Sequence, residues 1–142
     1  MNTCAHSYKR HRFPPDIIQY AVCFSCKEND VIRPLGESRV HFALNCMAIS
    51  CPRLRRTPFT AAGLEAELER ETLRFFSQAR NLNLDRDART VTYSEILDFY
   101  TKDFLLQAPS LAGYVSRYVP RPVPETFSVR FAPYDWRVHY QP

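Results

Sequence analysis

Hydrophobic and polar positions follow different periods along this chain, and the period changes at definable points. Ile17, Ile18, Ala21 and Val22 form a short apolar stripe at helical spacing. Phe13-Pro14-Pro15-Asp16 precedes it, a helix start with proline and an acidic residue in the first turn. The stripe fades at Cys23–Asp30, which reads as a loop or joint. Val31–Gly36 is a brief apolar turn that Pro34 stops. From Val40 to Ile49 the chain is almost continuously apolar and reads as a buried segment, with no periodicity to decide between strand and helix.

The clearest helix follows Thr57-Pro58-Phe59-Thr60. Ala61, Leu64, Leu68, Thr72, Phe75, Phe76 and Ala79 share one face, with Glu and Arg on the other. The pairs Glu67–Arg70 and Glu71–Arg74 offset the like-charge pairs Glu65–Glu69 and Glu67–Glu71. Asn81–Asp85 and Ala88–Tyr93 alternate about Arg86-Asp87, which predicts a hairpin. Ser94 caps a helix with Ile96, Leu97, Phe99 and Tyr100 on its inner side, and Lys102–Leu106 adds a turn. Pro109-Ser110 opens a short helix over Leu111–Val119, and Pro120–Pro124 breaks regular structure. Thr126–Phe131 reads as a strand, Pro133–Trp136 as a turn with the lone Trp136 buried, and Arg137–Tyr140 as a last extended piece. This order predicts an α+β fold: a mostly helical partial domain with a β-hairpin and a C-terminal strand.

A length of 142 residues allows one domain. A hydrophobic share of 45% and an aromatic share of 13% exclude a disordered composition. The 3 glycines against 11 prolines exclude a collagen-like or Gly-rich chain and speak against a Gly-rich phosphate loop. No run reaches the ~20 apolar residues of a membrane helix. Met1–Arg12 lacks the apolar core of a secretory signal. A cytoplasmic location, no membrane partner and reduced thiols are therefore expected. Five cysteines, an odd number, exclude complete pairing within one chain. The net charge of +4 gathers in Lys9–Arg12, read as a disordered basic tail, and Arg53–Arg56, read as solvated loop charge. Without a recognition helix, the first cluster would give only weak, salt-sensitive contact with nucleic acid, which is not an expected partner.

His41, Cys46 and Cys51 are the residues best suited to chemistry. A nucleophilic cysteine needs a base within hydrogen-bond reach and a group to orient that base. Five residues span about 140° on a helix and opposite faces on a strand, so only a turn would join His41 to Cys46. Asn45 shares the face of His41 and could orient it; Asp135 is the available third group. The competing assignment is a buried, satisfied histidine with inert small cysteines. Cys23-x-x-Cys26 with Cys46 and Cys51 offers four thiolates for zinc, but the second spacing is loose and the first pair lies in the joint. No metal and no cofactor is expected. As a redox motif, Cys23-x-x-Cys26 lacks a strand-to-helix setting.

Two resemblances overlay this pattern. Ser-Tyr-Lys-Arg-His-Arg-Phe-Pro-Pro-Asp-Ile-Ile-Gln-Tyr-Ala-Val, Ser7 to Val22, resembles the opening of insertion sequence 6 family transposases. There it precedes a helix-turn-helix and a catalytic domain with three acidic residues; the likeness ends at Val22, and transposition is not expected. From about Asp30 to Trp136, Arg39-Val-His-Phe-Ala-Leu-Asn-Cys46, Ser50-Cys51-Pro52, Leu64, Phe75-Phe76, Thr92-Tyr93-Ser94-Glu95-Ile96, Tyr100-Thr-Lys-Asp-Phe104 and Tyr134-Asp135-Trp136 resemble the domain of unknown function 547 (DUF547) family. That family has no established reaction, so the resemblance implies a fold and suspect positions only. Its aromatic, Asn-rich upstream stretch is missing, and Arg137-Val138-His139 stands where Ser-Leu-Asn is usual.

Together they imply a transposase-like fragment and joint over residues 1–27 and the C-terminal part of a DUF547-like domain over 28–142. The expected product is truncated or chimeric, without activity of its own. The alternatives are a cysteine-dependent hydrolase or acyl-transferase using Cys46 with His41, and a weak DNA-binding transposase remnant, so enzyme status stays open. A partial domain would leave apolar faces of Val40–Ile49 and the long helix uncovered, which implies self-association through them.

Overall fold

A computed structural model describes residues 33–138 of the chain. The helix expected at residues 14–22 and the joint at 23–30 lie outside the described residues. The chain divides into two units, Met1–Glu37 and Ser38–Pro142. In the first, Arg33–Leu35 form a 3-10 turn closed by the Gly36 N–H on the Arg33 carbonyl (3.0 Å). Gly36 ends it at φ +72°, a conformation strained for any side chain.

In the second unit, a 3-10 turn over Ser38–Phe42 precedes α1 (Leu64–Phe76), β1 (Leu82–Asp85), β2 (Thr90–Ser94), α2 (Ile96–Phe99), α3 (Thr101–Leu105), α4 (Leu111–Val115) and β3 (Ser128–Ala132). Among the described residues, four α-helices and a three-stranded mixed sheet make a small α+β fold, as the residue pattern implies. The strand order is β1-β2-β3. β1 and β2 pair antiparallel, from Leu82 opposite Tyr93 to Asp85 opposite Thr90, which is the expected hairpin. β3 pairs parallel to β2, from Thr90 opposite Ser128 to Ser94 opposite Ala132. A parallel pair needs a long crossover, and the chain from 95 to 127 supplies it with α2, α3 and α4. Ser110 opens α4, its hydroxyl accepting the Gly113 N–H at 2.8 Å.

The core lies where these helices meet α1 and β2. Tyr93, Leu97, Phe104, Tyr114 and Val115 are fully buried. Phe42 sits among Phe75, Phe76 and Phe104, with ring centroids 4.7, 4.9 and 5.4 Å away. The buried Ser38 hydroxyl meets the Tyr114 hydroxyl at 2.8 Å, which roots the 3-10 turn in the same core.

Several expectations are corrected. Val40–Ile49 is not one element: Val40–Phe42 complete the 3-10 turn, and after Phe42 the segment becomes a loop whose sheet-like pairing among the described residues is a single bridge, Ala48 to Val138. Its apolar run is not evenly buried, since His41, Phe42 and Ala48 are inside while Cys46 and Met47 are exposed. The long helix starts at Leu64, after a turn in which Thr60 Oγ1 accepts the Gly63 N–H (3.1 Å), and ends at Phe76. Leu64 is exposed, whereas Glu71 on the expected polar side is buried. Arg53 and Arg55 explain this by reaching onto α1: Arg53 grips Glu71 through Nε (3.0 Å) and Nη2 (2.8 Å), and Arg55 bonds Glu67 (3.2 Å). The second basic cluster therefore belongs partly to the helix surface, not to a solvated loop. Trp136 is 49% exposed, packed on Tyr134 and Phe99 at the rim rather than buried.

Candidate functional site

The 3-10 turn places His41 inside the fold, with its side chain only 1% exposed. A carboxylate can only accept, so the His41 Nε2–H donates to Asp103 Oδ2 at 2.8 Å. The ring stacks on Tyr100 with centroids 3.8 Å apart and meets the edge of Phe104 at 5.6 Å. Tyr100 can do this because the helix expected over residues 96–106 breaks there into α2 and α3, with Tyr100 at φ −116° and ψ 24°. Asp103 follows one turn later and faces the same ring. The group that orients His41 is thus Asp103, from the Tyr100–Phe104 motif, and not Asp135.

The loop after Phe42 brings Cys46 and Cys51 together as a disulfide, with Cα atoms 6.1 Å apart. This pair departs from the expectation of reduced thiols. Met47, inside the loop, lies at φ 69°, a left-handed conformation uncommon for a residue with a side chain. The Asn45 side chain holds that turn: its amide donates to the Pro52 carbonyl, and its oxygen accepts the Met47 N–H at 2.8 Å. Asn45 closes the cysteine loop instead of orienting His41. The Cys46 N–H points at Cys51 Sγ at 2.7 Å. The Tyr134 hydroxyl lies 3.2 Å from Cys46 Sγ and is placed to donate to it. Burial pushes the Tyr134 phenol up to about 12, so it stays a donor at neutral pH.

Asp135 serves the backbone. Its N–H donates to Ser50 Oγ (2.9 Å), and its carbonyl accepts the Ser50 N–H (3.3 Å). Its carboxylate holds Arg137 through Nε (2.9 Å) and Nη2 (2.6 Å), which pulls its pKa down to about 2. The segment 134–138 and Arg80, which donates to the Ile49 and Cys51 carbonyls, clamp the cysteine loop from two sides.

The structure therefore brings Cys46, Cys51 and the Asp135 backbone into one corner and ties His41 to Asp103 and Tyr100 in another setting. No hydrogen bond joins His41 to either sulfur among the described residues. Asp103, Tyr100 and Tyr134 were not assigned to the site by spacing. A recess of about 10 Å³ beside Arg53, Glu71 and Phe75 has room for about one water and no substrate. Among the described residues no cluster of three His, Cys, Asp or Glu side chains could hold a metal. Cys23 and Cys26, needed for a four-thiolate site, lie outside them. No helix of the described residues is long and apolar enough to cross a membrane.

An α+β domain with a cystine corner and a buried His–Asp pair is the class that the fold and these contacts define. The chain belongs to the DUF547 family, proteins of unknown function, whose family model matches residues 3–76. That stretch runs through Ser7–Val22 and the joint, takes in His41, Cys46 and Cys51, and stops at the end of α1. No curated protein and no solved structure matches the chain.

Proposed function

We propose that this chain is a DUF547-family domain with no hydrolytic or acyl-transfer turnover of its own. The observation that carries this reading is the partition of the two candidate groups: Cys46 is bonded to Cys51, and His41 is bonded to Asp103 in the core. Among the described residues Cys46 has no base in hydrogen-bond reach, and a nucleophilic cysteine without one lacks the activation that acyl transfer needs. An oxyanion site would need converging donors, and the loss of one such donor alone costs ~10²–10³-fold in rate. The Cys46 N–H is aimed at Cys51 Sγ instead.

Ester, amide and thioester probes, assayed with the full chain both oxidised and reduced, should show no turnover above background. Turnover abolished by Cys46→Ser and retained by Cys51→Ser would replace this reading with the cysteine-hydrolase alternative.

The transposase-like origin of Ser7–Val22 is a separate proposal, supported by that run of residues alone. The family match begins at residue 3 and crosses the joint, so the family accounts for the same residues without it. Sequencing the DNA on either side of the reading frame tests it: an insertion element interrupting a longer family domain is the result a chimera requires.

A further inference from the structure

We propose that Cys46–Cys51 is a thiol-exchange site, at which a low-molecular-weight thiol attacks the sulfur of the exposed residue Cys46 and Cys51 leaves. The two ends of the bridge sit in different surroundings. Cys46 is exposed, at the outer edge of its loop, while Cys51 is only 6% exposed. An incoming thiolate must approach a sulfur in line with the bond it breaks, so access selects Cys46. The leaving sulfur departs faster when its negative charge is stabilised. Cys51 has that stabilisation in place, because the Cys46 N–H already lies 2.7 Å from its sulfur. The Tyr134 hydroxyl, 3.2 Å from Cys46 Sγ, faces the sulfur that would carry the adduct.

The step balances without any other reagent. A thiolate RS⁻ forms a bond to Cys46 Sγ, the Cys46–Cys51 bond breaks, and Cys51 takes the electron pair and then a proton. A second thiolate attacks the adduct sulfur on R, releasing RSSR and Cys46 as a thiolate that is protonated in turn. The sum is one protein disulfide and two thiols giving one protein dithiol and one small disulfide. Running backwards, the same steps close the loop. The Cα separation of 6.1 Å is within the range of bridged cysteines, so closure needs no large backbone movement. Asn45, Ser50 and Arg80 hold the loop through contacts that do not involve sulfur.

Glutathione is a suitable probe. The full chain is mixed with reduced glutathione, quenched with acid at short times, and cut after Arg39 and Arg53. The released peptide 40–53 contains both sulfurs, and fragment-ion sequencing distinguishes Cys46 from Cys51, and both from Cys4, Cys23 and Cys26. The early adduct should sit on Cys46, at least about ten-fold over Cys51. At equilibrium over a series of reduced-to-oxidised glutathione ratios, the two cysteines should open and close together. With oxidised glutathione, Cys51→Ser should acquire the adduct at Cys46 faster than Cys46→Ser acquires it at Cys51. Adducts divided equally between the two sulfurs in the native chain would overturn the assignment, as would a bridge that stays closed at every ratio. The native-chain measurement decides the matter even if either variant fails to fold.

Discussion

Phe42→Ala should cost about 3–5 kcal/mol of folding free energy, the range for emptying a buried aromatic position. Phe42 is 2% exposed and touches Phe75 and Phe76 from α1 and Phe104 from α3. Its ring is where the 3-10 turn, the long helix and the crossover helices meet, so its removal leaves a void that no single element can close. A small domain has about 5–15 kcal/mol of stability in total, so the variant should be largely unfolded or close to it. Phe99→Ala is the control. Phe99 is half-exposed on Tyr134 and Trp136, and its loss should cost about 1 kcal/mol or less. Urea midpoints of the three proteins measure the difference. A loss below about 1 kcal/mol for Phe42→Ala would mean that these elements do not share one core.

Glu71→Gln should remove about 2 kcal/mol at neutral pH and much less in acid. Glu71 is 4% exposed and accepts two hydrogen bonds from Arg53, with the Arg55 guanidinium 3.7 Å away. Hydrogen bonds to charged groups contribute about 1.5–3 kcal/mol, and the half-exposed Arg53 keeps the figure below that of a fully buried pair. The Arg53 hydrogen bonds, with the charges of Arg53 and Arg55, hold the Glu71 pKa below its ordinary value of 4.5. A carboxylate whose folded pKa is depressed stabilises fully above its unfolded pKa and loses that contribution as pH falls through the folded value. The gap between native protein and Glu71→Gln should therefore be constant near neutrality and shrink below about pH 4.5. Glu65 shifts in the same direction, but as an exposed group it is screened by solvent and contributes little. A gap that stays the same from pH 7 to pH 3 would show that the Glu71 charge is irrelevant to the fold.

The residue pattern revealed those parts of the fold that are governed by short-range periodicity. The β1–β2 hairpin and the Ser110 cap rest on neighbours within a few positions and formed as their patterns implied, as did the helix α1 itself, though not its ends or all of its buried face. Long-range pairing was not legible in the same way. Nothing near Glu71 in sequence announces Arg53, 18 residues away, and a glutamate on a helix ordinarily reads as solvated. Nothing near Cys46 announces Tyr134, and His41 finds its carboxylate 62 residues downstream. Trp136 misled for the opposite reason, since a large aromatic side chain can cover a rim as well as fill a core. In Val40–Ile49 hydrophobicity concealed a turn, because the left-handed residue there is a methionine and not a glycine. The cysteine pair lay in plain view, yet a spacing of five does not fix the path of the loop between them.

Cys46 and His41 sit in separate settings, and the pH profile of Cys46 alkylation shows whether they act independently. In a Cys51→Ser protein, with adducts located by peptide sequencing, the rate at Cys46 should rise with a midpoint near that of an ordinary thiol, about 8.5. His41→Asn, and separately Asp103→Asn, should leave that midpoint where it is, with folding checked by near-ultraviolet circular dichroism. A midpoint well below neutrality that rises by about one unit or more in either folded variant would show His41 acting on Cys46, and would contradict the account.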